Sequence, residues 1–346
     1  MKKVEVTTLL IILVGLSIFP LVFSNPSTTS IAFFAIIFAV AASAWNIFSG
    51  YSGYISLGYA VFSGTGAYTL AIICQHWNIP GGYMPFAFVP VAGLVAALLA
   101  VPVGLLVLRT RRHVFVVVTV ATLFIMQLLA YNLSGFTGGS AGMTFPTPPW
   151  SGSFFNEPFY YVALILLVVV VILSRLIRYS KFGLGLLAIR EDEDRARSLG
   201  INTGLYKLIA LVIAAFFAGM VGAMMTYFTN EVFPPQAFDP TFDIAVALMT
   251  FFGGVGTLIG PVIGGLVLES LQQYVTLQFG IAGLDLIFFG GLLLVVILLL
   301  PEGVVPSISK LTKYIIDSRR NIAVSPPEVV SDATSLALEE GTNGKG

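Results

Sequence analysis

Only a few residues in this chain have types and spacing suited to chemistry, and they fall into three groups. The first is a dense charged block, Arg190-Glu-Asp-Glu-Asp-Arg-Ala-Arg197, flanked by Ile189 and by Leu199-Gly200. Glu191 with Arg195, and Glu193 with Arg197, stand four apart with the acid first, the order that supports a helix. The pattern predicts one short helix over about 184–200, ended by Gly200 in a left-handed cap, with Asn202 or Thr203 capping the next. Ile189, Ala196 and Leu199 would then form a narrow exposed apolar line. A solvated connector needs no such line, whereas a surface that receives a partner does. The second group is two glycine clusters, Gly138, Gly139 and Gly142, then Gly253, Gly254 and Gly256, each interrupting an apolar run. Non-helical backbone at membrane depth is tolerated only inside protein or beside a wet cavity, so both are candidate pathway elements. A broken helix can also turn its N-terminal amides toward a carboxylate. A tight turn at the membrane face is the other reading of the second cluster. The third is Glu269, the one carboxylate in the interior of a predicted span, away from its ends. At a helix centre it costs about 2.5–3.5 kcal/mol, so it must pair, face the bundle interior or be protonated. A structural hydrogen bond and a pathway-lining role are both open to it.

Other chemistry is excluded. There is no Gly-x-x-x-x-Gly-Lys-Ser/Thr run to cradle a nucleotide, and the predicted spans hold no His-Glu-x-x-His, Ser/His/Asp set or carboxylate pair. His76 and His113 belong to opposite membrane faces and are too isolated to ligate a metal. Cys74 stands alone as a small apolar residue near a helix end. The Asn132-Leu-Ser134 triplet has the form of a glycosylation sequon and carries no weight by itself. No enzyme and no cofactor are expected.

The elements that must position these groups follow from composition. Of 346 residues, 57% are hydrophobic and 10% charged, whereas soluble domains carry about 25% charge. So few charges cannot cover a water-facing surface, and lipid must be the solvent for much of the chain. A helix needs about 20 mostly apolar residues to cross a bilayer. Runs of that kind cover 7–23, 31–48, 55–74, 86–108, 114–132, 159–177, 206–228, 242–258, 262–277 and 284–300. The expected fold is all-α, a polytopic transmembrane helical bundle of about ten spans, with eight or nine if the short eighth and ninth count as one re-entrant unit. Ten spans are compatible with two five-span halves of opposite orientation. If the N-terminus is cytoplasmic, the outer loops 24–30, 75–85, 133–158, 229–241 and 278–283 contain no Lys or Arg, and all 17 basic residues lie on the other side. That obeys the positive-inside rule and puts both termini in the cytoplasm. Lys2 and Lys3 before a short apolar stretch also resemble a signal peptide, but an uncleaved first span is the expectation. The membrane domain should cover 1–316, and the polar, Pro- and Gly-bearing 317–346 should form a disordered cytoplasmic tail.

Several motifs in order carry a resemblance. Asp194-Arg-Ala-x-x-x-Gly200 resembles the Glu-Ala-Ala-x-x-x-Gly loop of ABC importer permeases. Gly53-Tyr-Ile-Ser-Leu-Gly-Tyr-Ala-Val-Phe-Ser-Gly-Thr-Gly-Ala-Tyr68 resembles the Gly-Gln-x-Ser-Leu-Gly-His-Ala-x-Phe-x-Gly-x-Gly-Ala-Tyr segment of the branched-chain amino acid permeases of LivM type. The glycine loop at 138–142, the turn at 253–261 and Pro301-Glu-Gly303 fall in that family's order. Tyr54 replaces a common Gln and Tyr59 a common His, close to Ser56 in a segment that the resemblance places near the pathway. The resemblance implies a prokaryotic plasma-membrane permease with no ATPase of its own. Its implied partners are a second permease subunit, two cytoplasmic ATP-binding subunits and an extracytoplasmic solute-binding protein, with membrane lipid around it and no nucleic acid. It further implies that Ile189, Glu191, Asp194, Arg195, Ala196, Leu199 and Gly200 receive the ATPase movement. A urea or short-amide importer permease is the nearest alternative, and a stand-alone channel or secondary transporter is the alternative of another class.

Overall fold

The computed structural model describes residues 2–23, 25–150, 152–279, 290–291 and 303–307. The expected tenth span, apart from 290–291, and the expected tail at 317–346 lie outside these residues. What is described is helical, except for one two-residue antiparallel pairing of Met143–Thr144 with Glu231–Val232.

Eleven helices carry the architecture: α1 (Lys2–Val22), α2 (Pro26–Trp45), α3 (Ala60–His76), α4 (Met84–Val107), α5 (Arg112–Asn132), α6 (Asn156–Arg178), α7 (Lys181–Glu191), α8 (Glu193–Ser198), α9 (Thr203–Thr229), α10 (Pro240–Gly253) and α11 (Gly260–Phe279). A π-helical turn, Asn46–Gly50, extends α2. Local chemistry starts several of them. Asn25 accepts a hydrogen bond from the Ser27 amide ahead of Pro26, and Asn202 accepts one from the Leu205 amide. Asp239 does the same for Thr241 ahead of Pro240. A side-chain oxygen at the cap followed by Pro at the first helical position is a sequence-encoded start.

Among the described residues, five helices are long and apolar enough to cross a membrane: α2 with its extension to Gly50, α4, α5, α6 and α9. Ten full spans are not shown at that standard, and the tenth expected run lies mostly outside the described residues. With 17 and 14 residues, α3 and α10 rise only about 25 and 21 Å, against a hydrocarbon core about 30 Å thick. α4 and α5 turn Leu94, Leu98, Leu105, Val117, Ile125 and Leu128 outward, as helices solvated by lipid do.

The core forms around α2, α3, α4 and α9, where small residues let backbones touch. A Cβ at Gly66 would stand 2.0 Å from the Gly219 carbonyl oxygen, and one at Gly222 would stand 2.0 Å from that of Ser63. Gly265 of α11 meets the Ala39 backbone of α2 in the same manner, at 2.5 Å. Lipid tails are as apolar as leucine, so such close packing, rather than release from water, holds membrane helices together. Adding the methyl group of Gly66→Ala should therefore cost about 1–3 kcal/mol. Gly135→Ala, with nothing within 4 Å of the added carbon, should be neutral. Thermal unfolding of the two variants in detergent micelles measures the difference.

Candidate functional site

The charged block is built differently from its expectation. Asp192 adopts an extended conformation (φ −155°, ψ 111°) and divides the expected single helix into α7 and α8. Its carboxylate accepts hydrogen bonds from the Asp194 and Arg195 amides, each 3.0 Å, as an N-cap. Aspartate favours caps over helix interiors because its short side chain competes for nearby amides. Glu193 and Arg197 pair as expected, at 3.7 Å. Arg195 instead pairs with Asp192 at 3.0 Å, because the break turns it away from Glu191. The same break rotates most of the expected apolar line inward. Ile189 and Ala196 are buried in the chain's own core, and only Leu199 remains outside, at 81% exposure. Gly200 ends α8 at φ +85°, the left-handed cap the sequence suggests.

From α8, Glu193 reaches into the bundle. It accepts a 2.7 Å hydrogen bond from the Lys207 ammonium of α9 and another from the Tyr54 hydroxyl, in the segment before α3. Lys207 stands 4.2 Å above the Tyr54 ring centroid, a cation–π contact. Burial pushes the Glu193 carboxyl up, but the bonds from Lys207 and Tyr54 outweigh it and hold it below its ordinary value. Burial, and then the adjacent Glu193, push the Tyr54 hydroxyl up, so it stays a donor.

Three arginines extend the junction. Arg112, at the start of α5, donates to the Ile189 and Arg190 carbonyls at 2.7 Å, capping orphan acceptors at the end of α7. Arg190 donates to the Gly50 carbonyl at 2.9 Å, and Arg178 donates to that of Gly256. Asn46 clamps the same turn, accepting from the Gly256 amide at 2.7 Å and donating to the Thr257 carbonyl at 2.9 Å. The Gly253, Gly254 and Gly256 cluster is thus a tight turn between α10 and α11 at the basic end. There a Cβ at Gly253 would sit 1.8 Å from the Gly260 carbonyl, and Gly254 and Gly256 have φ of +117° and +76°.

Deeper in the bundle, two short helices meet. The Ala60 amide at the start of α3 donates to an Asp243 carboxylate oxygen in the first turn of α10, at 2.7 Å. Tyr59 stacks on Phe242 and Tyr68 on Phe238, so α10 starts beside the second turn of α3 and runs antiparallel to it. Asp243, at the outer end of the expected span 242–258, is 1% exposed. Its second oxygen and the Tyr59 hydroxyl have no partner among the described residues. Ser56 is buried near the π turn, its carbonyl accepting from the Trp45 indole at 2.9 Å.

At the opposite end, Gly138, Gly139 and Gly142 form a left-handed turn ahead of the strand pair, and a Cβ at Gly142 would strike the Val232 carbonyl at 2.4 Å. Glu269 of α11 is 1% exposed, with one oxygen accepting from Gln273 at 2.9 Å and the other without a partner among the described residues. A cavity of about 520 Å³ opens between α2, α3, α9 and α10. None of the residues that the sequence marks for the pathway lines it. The signal that could have found it is Asp239-Pro240, a helix start inside what reads as an outer loop.

Residues 27–297 match the family described as the permease component of branched-chain amino acid transport systems. This chain belongs to that family. Its members are transport proteins rather than enzymes, and the multi-pass helical structure agrees. Among the family's characterised proteins, the chain is 28% identical to the high-affinity branched-chain amino acid transport system permease protein LivM of Escherichia coli, over 81% of this chain and 70% of that protein. LivM of Salmonella typhimurium is 28% identical over 88% of this chain and 75% of its own length. The permease protein LivH of Salmonella typhimurium is 31% identical over 40% of this chain and 44% of LivH. No solved structure matches.

Within this permease, the Glu193–Lys207 pair should behave as a partly desolvated ion pair. Removing one partner strands the other, so Glu193→Gln or Lys207→Met should destabilise by about 3 kcal/mol, and the double variant should recover most of it. A double-mutant cycle of thermal unfolding in detergent tests this. The folded pKa of Glu193 lies below the unfolded one, so its stabilisation is complete above about pH 4.3 and disappears as pH falls through the folded value. Wild type and Glu193→Gln should therefore differ at pH 7 and converge in acid.

Proposed function

We propose that this permease is the membrane subunit of an ATP-driven importer for branched-chain amino acids. In this reading it works beside a second permease subunit, two cytoplasmic ATP-binding subunits and an extracytoplasmic solute-binding protein. The observation that carries the reading is the wiring of α7 and α8. Hydrogen bonds from Tyr54, Lys207, Arg112 and Arg190 tie them to the entry of α3, to α9, to the start of α5 and to the end of α2. A load applied to the exposed edge, where Leu199 and Arg195 stand outermost, reaches four membrane helices through short, charge-assisted bonds. Closure of ATP-binding subunits against that edge would be transmitted without any moving part of its own.

The interface in this account is narrower than an apolar stripe. Leu199, Arg195, Asp194 and Glu191 offer the contact, while Ile189 and Ala196 support it from inside. Gly200 supplies the reversal into α9, and Gly253, Gly254 and Gly256 let the α10–α11 turn lie against Arg178 and Arg190.

In this reading the chain has ten membrane-inserted segments in two inverted halves, counting the short α3 and α10 and taking the tenth from the apolar sequence 284–300. In the first half a long helix, α2, is followed by an irregular segment and the short α3. In the second half a long helix, α9, is followed by an irregular segment and the short α10. The antiparallel meeting of α3 and α10 is the arrangement that inverted repeats generate. Both termini and the basic junction face the cytoplasm, following the positive-inside rule.

Two experiments test this. Reconstituted with its partner subunits, binding protein and ATP, the chain should support leucine, isoleucine and valine uptake into liposomes, and alone it should support none. Uptake driven by a proton or sodium gradient without an ATPase would instead indicate a secondary transporter. For orientation, a cysteine at Leu199 should react with a membrane-impermeant thiol reagent only from the cytoplasmic side, and one at Trp77 only from outside. The buried Cys74 contributes little background.

A further inference from the structure

The cavity between α2, α3, α9 and α10 has a chemical character that the family assignment does not explain. We propose that it is a binding site for the transported solute inside the membrane, built for an aliphatic amino acid as its zwitterion. The ammonium would rest on Asp239 and the side chain among Phe34, Phe38, Met225 and Phe242. This deepens the importer reading and rests on it.

At about 520 Å³, the cavity falls inside the roughly 300–1,000 Å³ of small-ligand sites, and its mostly apolar wall with a few polar groups is their usual composition. Those polar groups have one sign. Among the described residues, Asp239 is the only charged one in the lining, and no Lys, Arg or His accompanies it. Its two oxygens accept from the Thr241 amide at 2.8 Å and from the Thr241 hydroxyl. An ionised carboxylate accepts about four hydrogen bonds, so it keeps capacity for a cationic donor. The Gln272 side chain also belongs to the lining. Ser63 and Gln236 offer donors for a carboxylate group. A fatty acid or anionic headgroup would place like charge against Asp239. A small zwitterion with an apolar side chain sets its ammonium against that carboxylate and its side chain against the apolar wall.

Ala245 and Leu248 stand three apart on α10, face the cavity and are only half-buried, so substitutions there should leave the helix packing intact. They should set the size of side chain accepted. The test uses the complete importer in proteoliposomes with the binding protein saturated by leucine, alanine or phenylalanine in turn. Filling the site with Ala245→Leu should lower the leucine-to-alanine uptake ratio about tenfold, and enlarging it with Leu248→Ala should raise the phenylalanine-to-leucine ratio about tenfold. Asp239→Asn keeps a good helix cap but removes the charge, and should raise the KM for leucine about tenfold. Co-purification of the partner subunits verifies that each variant is assembled. Unchanged ratios in both assembled α10 variants, with leucine KM unaltered in Asp239→Asn, overturn the proposal and leave lipid as the occupant. If the wild-type importer moves no amino acid, the importer reading itself fails and this site falls with it. Wild-type uptake with unaltered variants removes the site alone.

Discussion

A helix that stops inside a bilayer must find partners for the backbone groups it exposes, because no water is there to take them. The rest of this bundle depends on how that demand is met. At the start of α3 the partner is a carboxylate from another helix, since Asp243 receives the Ala60 amide. Beyond the π turn of α2 it is a guanidinium, since Arg190 donates to the Gly50 carbonyl. At the turn between α10 and α11 it is an amide and another guanidinium, from Asn46 and Arg178. Each closure is made by a residue distant in sequence, so each break in a helix is also a weld between elements. The irregular segments are therefore the points at which the helices are fastened together.

Fastening at the ends complements close packing in the middle. α3, α4 and α9 approach through Gly66, Gly219 and Gly222, where a backbone carbonyl or an alanine Cβ lies within 3 Å of any added carbon and cannot yield. Such a unit moves as a body, because packed interiors are bistable and do not deform continuously. α10 is different. It is short, begins at Asp239-Pro240 beside α3, and leaves Ile244 and Phe251 facing outward. The cavity lies along its length. A displacement entering through α7 and α8 would reach the rigid unit through Tyr54 and Lys207, and would reach α10 through the bond of Asp243 to the start of α3 and the clamp of Asn46 on its glycine turn.

Much of this was legible in the sequence. Long apolar runs showed helices in lipid, and the one-sided distribution of Lys and Arg separated the two ends. Gly200 as a left-handed cap and the Glu193–Arg197 pair were read from spacing alone. The break at Asp192 was missed because an i,i+4 ladder argues for continuity, although aspartate followed by two further acids is also a cap with an acidic first turn. That one break explains why Ile189 and Ala196 are inside. The burial of Asp243 was missed for a different reason. Asn230, Pro234, Asp239 and Pro240 mark turns and helix starts, but local chemistry carries no information about depth, so the segment read as an outer loop. The cavity was hidden for the same reason, since its walls come from several helices far apart in sequence.

Glu193 illustrates how a surface motif becomes a structural one. In the sequence it is one of four consecutive acids, and a solvated helix face would have satisfied it. In the fold, the cap at Asp192 aims it inward, where a buried ammonium and a tyrosine hydroxyl hold it ionised. A buried ion pair of this kind contributes little net stability compared with an apolar substitute, but it is intolerant of mismatch. It therefore keeps α8 in one register against α3 and α9, and a register held in that way can pass on a small displacement without slipping.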